Sequence, residues 1–169
     1  MTINDGVTLT LHLEDDRLFI EIKNKMWIIA TGAPLSFGKI SAIQLVDEDF
    51  IIADNYMGMT IDDVLDVMLT EKHQGLPIVG LLGMDILGCF DHIIDCTTQT
   101  ITLSRAQQDC WGDIITLTQF MGTPVLSVTI ADRDYAMVLE TGASISYFQD
   151  ASIKDFPSAG TTQDFYPGY

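Results

Sequence analysis

One short device occurs twice in this chain, and it constrains the fold more than any other feature. Ala30-Thr-Gly-Ala-Pro-Leu-Ser-Phe37 and Glu140-Thr-Gly-Ala-Ser-Ile-Ser-Tyr147 carry Thr, Gly, Ala and Ser in register, with Leu answered by Ile and Phe by Tyr. An apolar run precedes each copy, Met26-Trp27-Ile28-Ile29 for the first and Ala136-Met137-Val138-Leu139 for the second. Such an internal repeat marks one supersecondary unit used twice, here a buried strand delivering the chain to a Thr-Gly turn.

The patterns around the first copy are those of β-structure. Val7–Leu13 alternates apolar and polar residues, the period of a half-buried strand, and the apolar-rich Leu18–Ile22 follows. With the continuous apolar run at 26–29 these form antiparallel strands joined through Asn24, and Ile43–Val46 and Phe50–Ala53 add more strand. One helix is legible: Thr60 caps it, Asp62 and Asp63 fill its first turn, and Lys72 lies near its end. Ile61, Val64, Leu65 and Met68 give it one apolar stripe, read as a core face. Ile78–Leu87, Phe90–Asp95 and Thr100–Ser104 complete a unit spanning residues 1–105. Residues 106–112 break the periodicity and read as a linker. In 113–169 the pattern restarts with strands at Val125–Ile130 and Ala136–Leu139 around an Asp132-Arg133-Asp134 turn.

Charge narrows the function. Lys and Arg number 8 against 24 Asp and Glu, a formal net charge of −16, which repels phosphate backbones and anionic lipid. Nucleic-acid and membrane-surface roles are therefore set aside. Hydrophobic residues make up 47 % of the chain, enough for a core and too much for disorder. The longest uncharged run, 114–131, is rich in Thr and reads as strands, so no transmembrane helix is expected. Cys89, Cys96 and Cys110 are odd in number, and the start, Met1–Gly6, has no secretory pattern; both suit free thiols in the cytoplasm.

An apolar strand entering Asp-Thr/Ser-Gly-Ala, followed later by apolar-apolar-Gly, resembles the aspartic peptidase superfamily. Gly80-Leu-Leu-Gly-Met-Asp-Ile-Leu87 is similar to the segment that closes a retropepsin-like lobe, and Phe90–Asp95 with Thr100–Leu103 is similar to the last strands of the bacterial members. The resemblance implies an all-β, mainly antiparallel closed-barrel lobe with one or two short helices over 1–105, and part of a second lobe over 113–169. It also implies two loops meeting at a pseudo-dyad. Thr31 and Thr141 would brace them, with Gly32 and Gly142 allowing close approach. The groove would run past Ala33, Ala143, Ser144 and Tyr56. The second unit has no counterpart of Gly80–Leu87, which reads as an early stop or a reduced half.

The family's two acids are replaced here by Ala30 and Glu140. Two carboxyls about 3 Å apart share one proton, so that one acts as acid while the other activates water. Alanine has nothing to ionise, and glutamate carries its carboxyl one methylene further out. The resemblance then implies an inactive relative, needing no cofactor, that binds an extended peptide or a partner strand. Two other readings stay open: an active endopeptidase whose catalytic Asp has been replaced at Ala30, and a structural assembly module. A homodimer is a further option, pairing Ala30 with Ala30 or Glu140 with Glu140.

The remaining constellations point to ordinary structure. Cys89-x2-His92-x3-Cys96 has metal-like spacing but falls on a turn and a strand whose faces alternate, so no metal site is expected. No motif pairs a Cys nucleophile with His12, His73 or His92. Glu14-Asp15-Asp16 and Asp47-Glu48-Asp49 read as solvated loops, and Gly80, Gly83 and Gly88 lack a phosphate-loop context. Asn55–Gly58 reads as a hairpin tip or short flap.

Overall fold

The computed structural model describes residues 5–14, 16–68, 77–109 and 111–161. Twelve strands are found among them: β1 (Gly6–Glu14), β2 (Arg17–Ile22), β3 (Lys25–Ile29), β4 (Phe37–Gly38), β5 (Ala42–Leu45), β6 (Glu48–Ile51), β7 (Ile78–Leu82), β8 (Asp91–Asp95), β9 (Thr100–Ser104), β10 (Thr118–Phe120), β11 (Thr123–Ile130) and β12 (Arg133–Val138). Two short α-helices, α1 (Ile61–Met68) and α2 (Met84–Leu87), and a 3₁₀ turn at Ala151–Asp155 accompany them. The chain is thus mostly β. No helix among the described residues is long and apolar enough to cross a membrane.

Seven strands form one sheet in the order β4-β7-β3-β2-β1-β9-β8, and β10-β11-β12 and β5-β6 form two smaller ones. All pairings are antiparallel except β3 with β7. The long β1 serves two ladders, Gly6–Thr10 with β9 and Leu11–Glu14 with β2. The expected closed barrel is not formed. Its would-be closing strand, β4, has two residues, and its free side is occupied by Ala53, whose carbonyl accepts from the Gly38 amide at 2.8 Å. The ladder therefore ends at β4 and β8.

Strand β3 is buried on both faces, as its unbroken apolar run implies. Trp27 and Ile29 join a cluster with Leu11, Ile20, Leu82 and Leu103, while Met26, Ile28 and Ala30 join another with Phe19, Phe37, Ile61 and Val64. Helix α1 covers that second cluster. A capping box starts it: Thr60 donates its amide and hydroxyl to Asp63 at 2.8 and 2.7 Å, and the Asp63 amide returns to the Thr60 hydroxyl. These bonds hold the Asp63 carboxyl below the usual range. Met68's side chain and Lys72, assigned above to the stripe and helix end, lie outside the described residues.

Five tight connections use one device, two central residues at positive φ: Lys23-Asn24, Val46-Asp47, Met57-Gly58, Met121-Gly122 and Ala131-Asp132. This is the backbone of type I′ hairpin turns, whose twist matches the strands they join. Two expectations shift accordingly. The second-unit turn is Ala131-Asp132, with Arg133 and Asp134 already paired in β12, because the left-handed pair must occupy the two central positions. Likewise only Asp47 of the 47–49 acidic run lies in a turn; Glu48 and Asp49 open β6, and Glu48 forms an ion pair with Arg105.

Candidate functional site

The paired loops leave the ends of β3 and β12. Ala30 is anchored by its amide to the Leu82 carbonyl at 3.0 Å, and the Ala33 amide closes the turn on the Ala30 carbonyl at 3.1 Å. The β7–α2 segment braces this loop from behind. Met84 donates its amide to the Ala33 carbonyl, and a Cβ on Gly83 would lie within 2.8 Å of the Ala33 and Leu35 backbone. Ser36 is fully buried; its amide and hydroxyl donate to Asp85 Oδ1 at 2.8 and 2.6 Å, and its Oγ accepts from the Gly83 amide.

The two copies of the device face each other directly. The Thr31 amide donates to Thr141 Oγ1 at 3.2 Å, and the Thr141 amide donates to Thr31 Oγ1 at 3.1 Å. Each hydroxyl in turn donates to the carbonyl just before the opposite key residue: Thr31 to Leu139 at 2.5 Å, Thr141 to Ile29 at 2.7 Å. A side chain would collide at Gly32 and be tightly crowded at Gly142. A Cβ on Gly32 would fall on the Glu140 carboxylate, and one on Gly142 would stand 3.1 Å from the Ala30 Cβ. Ala30, Thr31, Gly32, Glu140, Thr141 and Gly142 are therefore brought together.

One carboxyl stands at this junction. Glu140 folds back so that Oε1 accepts the Gly142 amide at 2.6 Å, while Ala30, 2 % exposed, presents only its methyl. Burial raises the Glu140 carboxyl above its ordinary value, and the Gly142 and Gly32 amides act against that rise. The folded chain thus holds this proton more tightly than the unfolded one. The group's contribution to stability is complete below the ordinary glutamate value and is lost as pH rises through the raised one. Denaturation from about pH 4 to 8 checks this against Glu140→Gln. The stability of the parent relative to the variant is expected to fall with rising pH and then level off; a difference that grows with pH would contradict it.

A residue that the motif reading did not single out holds the second loop. Arg17, 4 % exposed, donates Nε to the Gly142 carbonyl at 3.2 Å and Nη2 to Ser144 Oγ at 3.3 Å. The only available signal was a lone cation after the acidic run 14–16, in a chain poor in cations. Ser144, placed in the groove by the resemblance, is thus a tie to the β1–β2 hairpin. Ala33 and Tyr56 pack on the cluster that contains Ala30 and Phe37, with the Tyr56 and Phe37 rings stacked 6.2 Å apart; Ala143 is half-buried. Asn55–Gly58 leads into a tight hairpin tip closed by the Tyr56–Met59 bridge, where Met57 is 85 % exposed.

Two members of the metal-like trio are otherwise engaged. Cys89 donates its thiol to the Asp85 carbonyl at 3.3 Å, and His92 Nε2 lies 2.6 Å from the Leu87 carbonyl. Among the described residues no group of three His, Cys, Asp or Glu could hold a metal ion. His73 and Cys110 lie outside the described residues. Comparison of the chain with protein-family models, curated proteins and solved structures returned no match.

Proposed function

We propose that this chain is an aspartic-peptidase-like protein without the acid pair, inactive as it stands, whose paired loops floor a site for an extended peptide or partner strand. The observation that carries the reading is the reciprocal Thr31–Thr141 bonding around a junction with a single carboxyl. In this reading residues 1–105 are a retropepsin-like lobe, 106–112 a linker and 113–169 part of a second lobe, and the protein works in the cytoplasm. The chain's own second loop occupies the first, which leaves no room there for pairing Ala30 with Ala30 of another copy. A shared proton needs two ionisable groups, so the general acid and the water-activating base cannot both be supplied here.

Incubation with an unfolded protein substrate between pH 3 and pH 7 tests the chemical half. No cleavage sensitive to a transition-state analogue is expected, and such cleavage would overturn the assignment as inactive. The binding half is tested by titrating extended peptides against the chain. Saturable binding is expected, and its absence up to about 1 mM would favour the purely structural reading.

A further inference from the structure

Strand β11 is only half covered on one side. It pairs with β12 along Val125–Ile130, yet β10 reaches only Thr123–Val125. The Pro124 carbonyl accepts from the Leu139 amide, so the backbone of 124, 126, 128 and 130 faces β12 while that of 125, 127 and 129 faces the β10 side. Ser127 and Thr129 therefore turn their amides and carbonyls to an open edge, the kind of edge that folded proteins normally pair or cover.

The chain that enters β10 is also unpaired. Among the described residues Trp111–Leu117 has no regular secondary structure and makes no hydrogen bond. Its side chains are displayed rather than packed, with Ile114 91 %, Ile115 64 % and Leu117 51 % exposed. Continuing the observed register, Thr118 with Val125, sets Leu117 opposite Leu126, Ile115 opposite Val128 and Asp113 opposite Ile130. Leu117 and Ile115 would then join Leu126, Val128, Tyr135 and Met137 on one face, and Thr116 and Ile114 would meet the waiting backbone of Ser127 and Thr129. An open edge and an open strand of matching length, pattern and register lie next to each other in one chain.

We propose that the Ser127–Thr129 edge of β11 is a strand-acceptor site, and that Asp113–Leu117 of the same chain is the strap that closes it in this register. The inference is independent of what the paired loops bind.

Cysteine pairing tests it. In a background with Cys89, Cys96 and Cys110 changed to Ser, Ile115→Cys with Val128→Cys creates a non-hydrogen-bonded antiparallel pair, whose Cα spacing suits a disulfide. Mild oxidation is expected to link the two within one chain, and to link Ile114→Cys with Val128→Cys far less, since those side chains would leave opposite faces. Equal yields, no link, or a link between two chains would overturn the proposal, the last in favour of strap exchange between copies. Amide exchange on the unmodified chain gives a second measurement. Ser127 and Thr129 are expected to be protected, and Thr116→Pro to speed their exchange by about tenfold or more. Exchange at the rate of an unstructured peptide in the parent would equally overturn it.

Discussion

Arg17→Met is expected to cost about 3–5 kcal/mol of stability, because each hydrogen bond from a charged donor in a buried site contributes about 1.5–3 kcal/mol. Two such bonds, to the Gly142 carbonyl and the Ser144 hydroxyl, end on the second loop. Methionine fills similar volume but donates neither to the buried Gly142 carbonyl nor to the half-buried Ser144 hydroxyl. The damage should be local in kind: amides of 141–144 gain exchange faster than those of β2 and β3. Arg17→Lys is expected to restore less than half of the loss, since an ammonium cannot reproduce the planar fork. Chemical denaturation and amide exchange measure both quantities. A loss below about 1 kcal/mol would mean that the second loop is held chiefly by the threonines.

Asp85→Ala is expected to cost about 3–4 kcal/mol by the same reasoning applied to the first loop. One carboxylate oxygen takes both the amide and the hydroxyl of fully buried Ser36, and the Ser36 oxygen in turn takes the Gly83 amide. Removing the carboxylate takes the acceptor from both donors of buried Ser36. Asp85→Asn keeps one acceptor oxygen and should recover roughly half of the loss. Denaturation midpoints of the three proteins decide the matter. Near-equal stability of parent and Asp85→Ala would show that backbone packing of Gly83 on Ala33 and Leu35 suffices as the brace.

The two variants probe the two halves of one arrangement. Each loop has a brace of its own, Asp85 through Ser36 for the first and Arg17 for the second, and the threonine pair joins them. Only the first brace was foreshadowed, by the Gly80–Leu87 segment. A local motif announces itself through spacing, whereas Arg17 reaches a partner more than a hundred residues away, and nothing in its neighbourhood marks it as buried.

Several elements were fixed by the chain's own chemistry. Alternation in β1, the unbroken apolar run of β3 and the Thr60–Asp63 box of α1 each specify local conformation through side-chain period or a short-range hydrogen bond. The in-register repeat also marked the residues that meet at the loop junction. Tertiary structure alone decided the rest. The ladder does not close at β4, whose free side is taken by Ala53. That β1 divides between two ladders and that Arg17 bonds Ser144 follow from packing between distant segments. Periodicity tells which face of a strand is buried; it carries no information about which distant backbone or side chain will lie against it.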